Sequence, residues 1–164
     1  MSIKYVKGDA VEALKNGEVD FLVHCCNAQG VMGSGIAKQI KKEFPDAYNV
    51  YRQSYIRKQK LPLGSITYSD GVFNLVGQEY YGYDGKRYMN YGAIAKGFNH
   101  IKAILMAGGF EKGLLAIHDK ANYTIAIPYK FACDRAGGDW DIVLELITVL
   151  LGPYYIKIYH LRDL

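Results

Sequence analysis

Cysteine, proline and tryptophan are scarce in this chain of 164 residues, with three, four and one respectively. The three cysteines, Cys25, Cys26 and Cys133, are odd in number and follow no ligand spacing, which argues against a disulfide framework and against a zinc site. No metal and no cofactor is expected. Thiols without a bridging pattern suit a reducing compartment, so a cytoplasmic protein is expected. No apolar run approaches the ~20 residues that a membrane span needs. Residues 1–7 are short and polar, unlike a secretory leader. Internal repeats and low-complexity tracts are also missing.

Charge is modest. Charged residues make up 22% of the chain, the net charge is +4 and the pI is near 8.8. Mild basicity favours an anionic ligand such as a nucleotide. The densest cationic run is Lys38, Lys41, Lys42, Arg52, Arg57, Lys58 and Lys60. It falls on helical segments and reads as a solvated face. A simple RNA-binding protein would need an aromatic platform motif, which is not found.

What the chain has in quantity is apolar residues, 50% of the total, enough for a core at this length. It also has tyrosine, 15 residues against 6 phenylalanines. Tyrosine suits half-wet surfaces that hold planar ligands. Apolar periodicity switches between two types along the chain. Residues 3–6, 20–26, 64–69, 72–77, 114–118, 123–127 and 155–159 read as strands. Residues 10–15, 34–44, 47–58, 90–106 and 140–150 read as helices. The run 20–26 is nearly all apolar, as in a parallel strand buried on both faces. This alternation predicts an α/β protein, a three-layer α/β/α sandwich with a mixed, largely parallel central sheet.

Ligands of open α/β sheets bind beyond the carboxyl ends of the strands. Two loops there stand out, 27–35 and 128–140. The first packs Gly30, Gly33 and Gly35 into six positions just ahead of a helix, which would bring backbone N–H groups and a helix N-terminus to an anion. It is neither the dinucleotide fingerprint, whose last glycine would fall at Lys38, nor a Walker A loop.

The stretches Gly8-Asp9, His24-Cys25-Cys26-Asn27-Ala28-Gln29-Gly30 and Met32-Gly33-Ser34-Gly35-Ile36-Ala37 resemble those of the macro domain family. The likeness is closest to its branch of ADP-ribose-1″-phosphatases and small ADP-ribosyl hydrolases, some of them carried by phages. It extends over nearly the whole chain, so one domain is expected over 1–164, acting as a monomer in the cytoplasm, or in the host's if the source is a phage. The resemblance implies that ADP-ribose or a derivative is the partner, with no membrane, and nucleic acid only as an ADP-ribosylated substrate. Hydrolysis of ADP-ribose-1″-phosphate is the leading expectation. Release of ADP-ribose from protein or nucleic acid, and binding without catalysis, are the alternatives.

By the same resemblance, Gly8 and Asp9 would meet the adenine, with a helix cap as the alternative role for Asp9. Asn27 would face the distal ribose. Ala28, Gly30, Gly33, Ser34, Gly35 and Ile36 would surround the ribose and phosphates. His24 matches a proposed catalytic group, or is a hydrogen-bonded core histidine. The second loop matches the family at Ala136-Gly137-Gly138-Asp139-Trp140. It departs at Ala132 and Asp134, where relatives have glycine, so binding by Cys133, Arg135, Ala136, Gly137 and Gly138 is expected with an altered approach to the diphosphate. Asp139 is the candidate acidic catalyst, or an N-cap, with Asp134 in reserve. Gln78 stands where some family hydrolases have a lysine, which counts against a covalent lysine mechanism.

Overall fold

The computed structural model describes residues 2–81, 86–107, 123–133 and 136–164. The expected strand at 114–118 and the candidate residues Asp134 and Arg135 lie outside the described residues. In chain order the elements are β1 (Ser2–Lys7), α1 (Ala10–Lys15), β2 (Phe21–Asn27), α2 (Gly35–Glu43), α3 (Pro45–Lys58), β3 (Ile66–Ser69), β4 (Val72–Gln78), α4 (Tyr91–Met106), β5 (Thr124–Pro128), α5 (Trp140–Leu150) and β6 (Tyr155–His160). Among the described residues the strands form one sheet in the order β1-β6-β5-β2-β4-β3. Every pairing is parallel except β3 with β4. That hairpin closes through Asp70 and Gly71, both at positive φ (54° and 85°), the backbone of a type I′ turn.

Side chains of β2 alternate between two cores. Phe21, Val23 and Cys25 pack toward α4 and α5, with Phe98, Ile101, Val143 and Ile147. Leu22 and Cys26 face the opposite layer, where α1, α2 and α3 supply Val11, Ile40, Ala47 and Tyr51. The adjacent cysteines thus lie on opposite faces, as strand geometry requires. The result is the expected three layers, with helices on both sides of the sheet. Among the described residues no helix is long and apolar enough to cross a membrane.

Local signals set the helix ends. Asp9 Oδ1 accepts hydrogen bonds from the Val11 and Glu12 amides at 2.8 and 3.1 Å, Asn90 caps α4 through the Ala93 amide, and Pro45 opens α3. Each places a short polar side chain, or a ring without a donor, where helical N–H groups lack partners. Gly97 has a different purpose. A Cβ there would lie 2.4 Å from Leu75 Cγ, so its bare backbone lets α4 sit directly on β4.

Gly97→Ala should therefore destabilise the fold, although alanine is the better helix former. Overpacking costs about 1–3 kcal/mol against a propensity gain of about 1 kcal/mol. A lower urea midpoint with an unchanged m-value is the expected result.

Candidate functional site

β2 and β5 are parallel neighbours, yet their connections leave in opposite directions. The chain after β2 turns to α2 on one face, and the chain after β5 turns toward α5 on the other. Strands that diverge in this way open a crevice at their carboxyl ends. A cleft of about 520 Å³ occupies that place, within the usual range for small-molecule sites. One wall is the end of β2 with residues 31–37, the other is residues 128–133, and Gln78 and Tyr81 stand beside them.

Asn27 shapes the first wall. Its Oδ1 accepts from the Gln29 and Val31 amides and from the Tyr51 hydroxyl, and its Nδ2 donates to the Val31 carbonyl at 2.8 Å. Tyr51, buried in α3, also reaches the Asn27 carbonyl at 2.7 Å. A side chain only 8% exposed thus folds the loop around itself. Beyond it the chain enters α2 without a cap, since Ser34 makes no side-chain bond to the helix amides. Gly35, at φ 57°, has nothing within 4 Å of its Cβ position. The first amides of α2 therefore open on the cleft through Gly33, Ser34, Gly35 and Ile36, an arrangement that favours an anion. Among the described residues, the lining carries one formal charge at neutral pH, that of Lys130.

The second wall is made of unusual backbone. Lys130 and Ala132 both adopt left-handed φ, 59° and 61°. Ala132, where the resemblance expects glycine, keeps the glycine-like conformation at a cost of roughly 1–2 kcal/mol. Cys133 lines the cleft and bonds the Phe131 carbonyl.

Other expected residues take structural places. His24 reaches the inner end of the cleft, but its imidazole is 0% exposed, with Nε2 2.6 Å from Asn74 Oδ1. Asn74 Nδ2 donates to the Ala47 carbonyl and to Thr67 Oγ1. That leaves its oxygen for His24, so Nε2 carries the proton. Desolvation lowers the pKa of His24 to about 4, partly opposed by the Asn74 bond. This is the core-histidine placement, with the ring neutral at pH 7. Cys25 is no better a nucleophile, since burial raises its pKa to about 12.

Asp139 caps α5 through the Asp141 amide at 2.9 Å and does not line the cleft. Asp9, besides capping α1, accepts from Gln39 Nε2 at 2.7 Å, and neither it nor Gly8 lines the cleft. Ala28 is fully buried. Gly30 packs beneath Tyr55 and Arg52, where a Cβ would lie 2.6 Å from the tyrosine ring. Ala136 accepts from the Tyr88 and Met89 amides. A Cβ on Gly137 would lie 2.8 Å from Arg87 Cα, and Gly138 donates to the Ala132 carbonyl. In this structure these glycines admit neighbouring chain. The cleft's Gln78, Tyr129 and Lys130 were not singled out as site residues. The signal available was position, since 128–130 lead out of the end of β5 as 27–29 lead out of the end of β2.

A three-layer α/β/α sandwich with a cleft at the carboxyl edge of its sheet is the architecture in which open sheets hold their ligands. The macro domain family model matches residues 23–76. An ADP-ribose 1″-phosphate phosphatase of Aspergillus oryzae is 39% identical over 69 residues, covering 42% of this chain and 32% of that protein. A DNA ADP-ribosyl glycohydrolase of Thermus aquaticus is 40% identical over 57 residues, covering 35% of this chain and 15% of that protein. The chain thus spans well under half the length of these curated relatives. The solved macrodomain of Thermus aquaticus DarG superposes with a TM-score of 0.71 at 24% identity, over 97% of this chain and 98% of that one. The chain has the macro domain fold, and its residues 23–76 match the macro domain family model.

The histidine makes a pH prediction. Its pKa is 6.5 when unfolded and about 4 when folded, so between these values the unfolded chain binds the extra proton. Stability therefore falls by about 3 kcal/mol on account of His24 as pH drops from 6.5 toward 4. Urea titrations should show a flatter acid limb for His24→Gln than for wild type, and imidazole nitrogen shifts should report a neutral Nε2–H ring at pH 6.

Proposed function

We propose that the cleft binds ADP-ribose and that the protein hydrolyses an ADP-ribose derivative, ADP-ribose-1″-phosphate first among them. The observation that carries this reading is the uncapped N-terminus of α2, opening through Gly33, Ser34 and Gly35 into a cleft of about 520 Å³. A diphosphate there meets backbone amides, the positive end of a helix and the Lys130 ammonium across the gap. The distal ribose would then lie toward the end of β2, beside Asn27 and Gln78, with Tyr81 over it. Support also comes from the relative named as an ADP-ribose 1″-phosphate phosphatase and from the macro domain match over residues 23–76, which includes this segment. The chemistry asked of these residues is to hold the terminal phosphate among fixed donors while water attacks. Asn27 sets the loop that aims those donors.

A second reading is removal of ADP-ribose from a macromolecule, favoured by the relative named as a DNA ADP-ribosyl glycohydrolase and by a cleft open to one side at the exposed Tyr81. Calorimetry with ADP-ribose tests the binding site common to both. Phosphate release from ADP-ribose-1″-phosphate tests the first activity, and loss of label from an ADP-ribosylated oligonucleotide tests the second. Binding with neither turnover would leave a binding module.

Gly33→Asp isolates the electrostatic part of the argument. A Cβ at Gly33 meets only Val31 Cγ1, at an ordinary 3.6 Å, so the fold should tolerate the change. The added carboxylate would face the diphosphate. We expect ADP-ribose affinity to fall at least about tenfold, a loss of about 1.4 kcal/mol, with an unchanged melting temperature. Unchanged affinity would place the phosphates elsewhere.

A further inference from the structure

The sequence run from Lys38 to Lys60 holds seven cations and two carboxylates, a net +5 in a chain whose total is +4. Taken as sequence this reads as a solvated face. The structure shows where it goes. α3 runs back to the carboxyl edge of the sheet, and Leu61, just past its end, donates to the Ala28 carbonyl beside the cleft wall. Arg52 reaches the Gly30 carbonyl at 3.3 Å and stacks on Tyr55. Arg57, Lys58 and Lys60 are exposed at that end. Lys38 sits in the first turn of α2, beside the cleft-lining residues, where the helix dipole disfavours a cation and where no acid accompanies it.

Aromatic rings adjoin the same rim. Lys60 pairs with Glu79, and the next two residues, Tyr80 and Tyr81, are 54% and 56% exposed. Tyr80 is tied to the cleft residue Gln78 through its carbonyl at 2.8 Å. Of the two carboxylates in the run, Glu43 is bonded to Lys15 at the far end of α2 and Asp46 lies in the first turn of α3. Among the described residues, Glu79 is the acid at the rim, already held by Lys60.

We propose that this rim is a docking surface for single-stranded nucleic acid, the phosphates following the cations at the end of α3 and an unpaired base stacking on the exposed tyrosines. Cations beside exposed rings are what an unpaired strand requires, because a duplex keeps its base faces covered. The strand would pass the mouth of the cleft. The surface needs no ADP-ribose to bind, so it stands or falls apart from the cleft reading.

The test is fluorescence anisotropy of labelled dT12, with rU12, a 12-base-pair duplex and polyglutamate as comparisons, in the full chain without ADP-ribose. With three or four phosphates neutralised, single-strand affinity should fall about 20- to 50-fold between 50 and 200 mM salt. The double variant Arg57→Glu, Lys58→Glu should bind dT12 at least about tenfold more weakly and with a shallower salt dependence, while its melting temperature and ADP-ribose calorimetry match wild type. Tyr80→Ala should weaken binding about tenfold with the salt slope retained. Tighter binding of rU12 than of dT12 would assign the surface to RNA, and the reverse to DNA. No dT12 or rU12 binding, equal binding of duplex or polyglutamate, or wild-type affinity in the variants would overturn the proposal. Strand binding without ADP-ribose binding would overturn the cleft reading alone.

Discussion

The site depends on the ring of hydrogen bonds around Asn27. A strand that must turn into a helix without a capping side chain needs some other means to fix its path. Here one buried amide gathers Gln29, Val31 and Tyr51 about itself. Buried polar groups fully satisfied in this way are rigid, because each bond lost leaves a desolvated partner behind. That rigidity lets the next residues stay open. Ser34 caps nothing and Gly35 faces empty space, so the helix amides keep their unmet demand for an anion. A loop with self-satisfied amides would be more stable alone and would have less to offer a ligand.

The opposite wall is built on another principle. Its turn places Lys130 and Ala132 in left-handed backbone, a conformation held by its surroundings. Gly138 donates back to the Ala132 carbonyl, and the 136–138 segment is seated on residues 86–89 so closely that Gly137 has no room for a side chain. Strain at the ligand edge is thus balanced by packing behind it. One wall is fixed by side-chain hydrogen bonds and the other by backbone packing, and between them stands a single formal positive charge among the described residues.

Most of the architecture was legible in the chain. Strand and helix periodicity, the Asp70-Gly71 turn and the caps Asp9, Asn90 and Asp139 all act through near neighbours, and local patterns read well for that reason. The first loop was legible as a strand-to-helix turn, because Gly33 and Gly35 stand just ahead of a helical pattern. The direction of a side chain was harder to read. Asp9 and Asp139 each permitted a cap or a chemical role from sequence, and the structure shows the caps. His24 was equally open, and what decides it is Asn74, fifty residues away in sequence and directly opposite in the parallel register. Gly30, Gly137 and Gly138 were read as making room for ligand. In this structure Gly30 makes room for Tyr55, Gly137 for the chain at Arg87 and Gly138 for the Ala132 carbonyl and Met89, which no local pattern could disclose.

The placement of the titratable groups bears on the chemistry such a cleft can support. His24 is neutral and already bonded, and Cys25 is protonated well beyond neutral pH. Among the described residues, the groups that face the open space are amides, hydroxyls, the Cys133 thiol, the Gln78 carboxamide and one ammonium. A set dominated by neutral donors can stabilise negative charge without reorganising, which is the larger part of many rate enhancements. It is therefore suited to a substrate whose leaving group departs easily once its charge is held. A phosphate on an anomeric carbon and a base or side chain on that same carbon are both of this kind, because breaking the bond there leaves positive charge on the anomeric carbon and ring oxygen and negative charge on the departing group, which the surrounding donors can hold. The two hydrolytic readings thus ask for one electrostatic environment, and what separates them is the room left at the rim for the group being released.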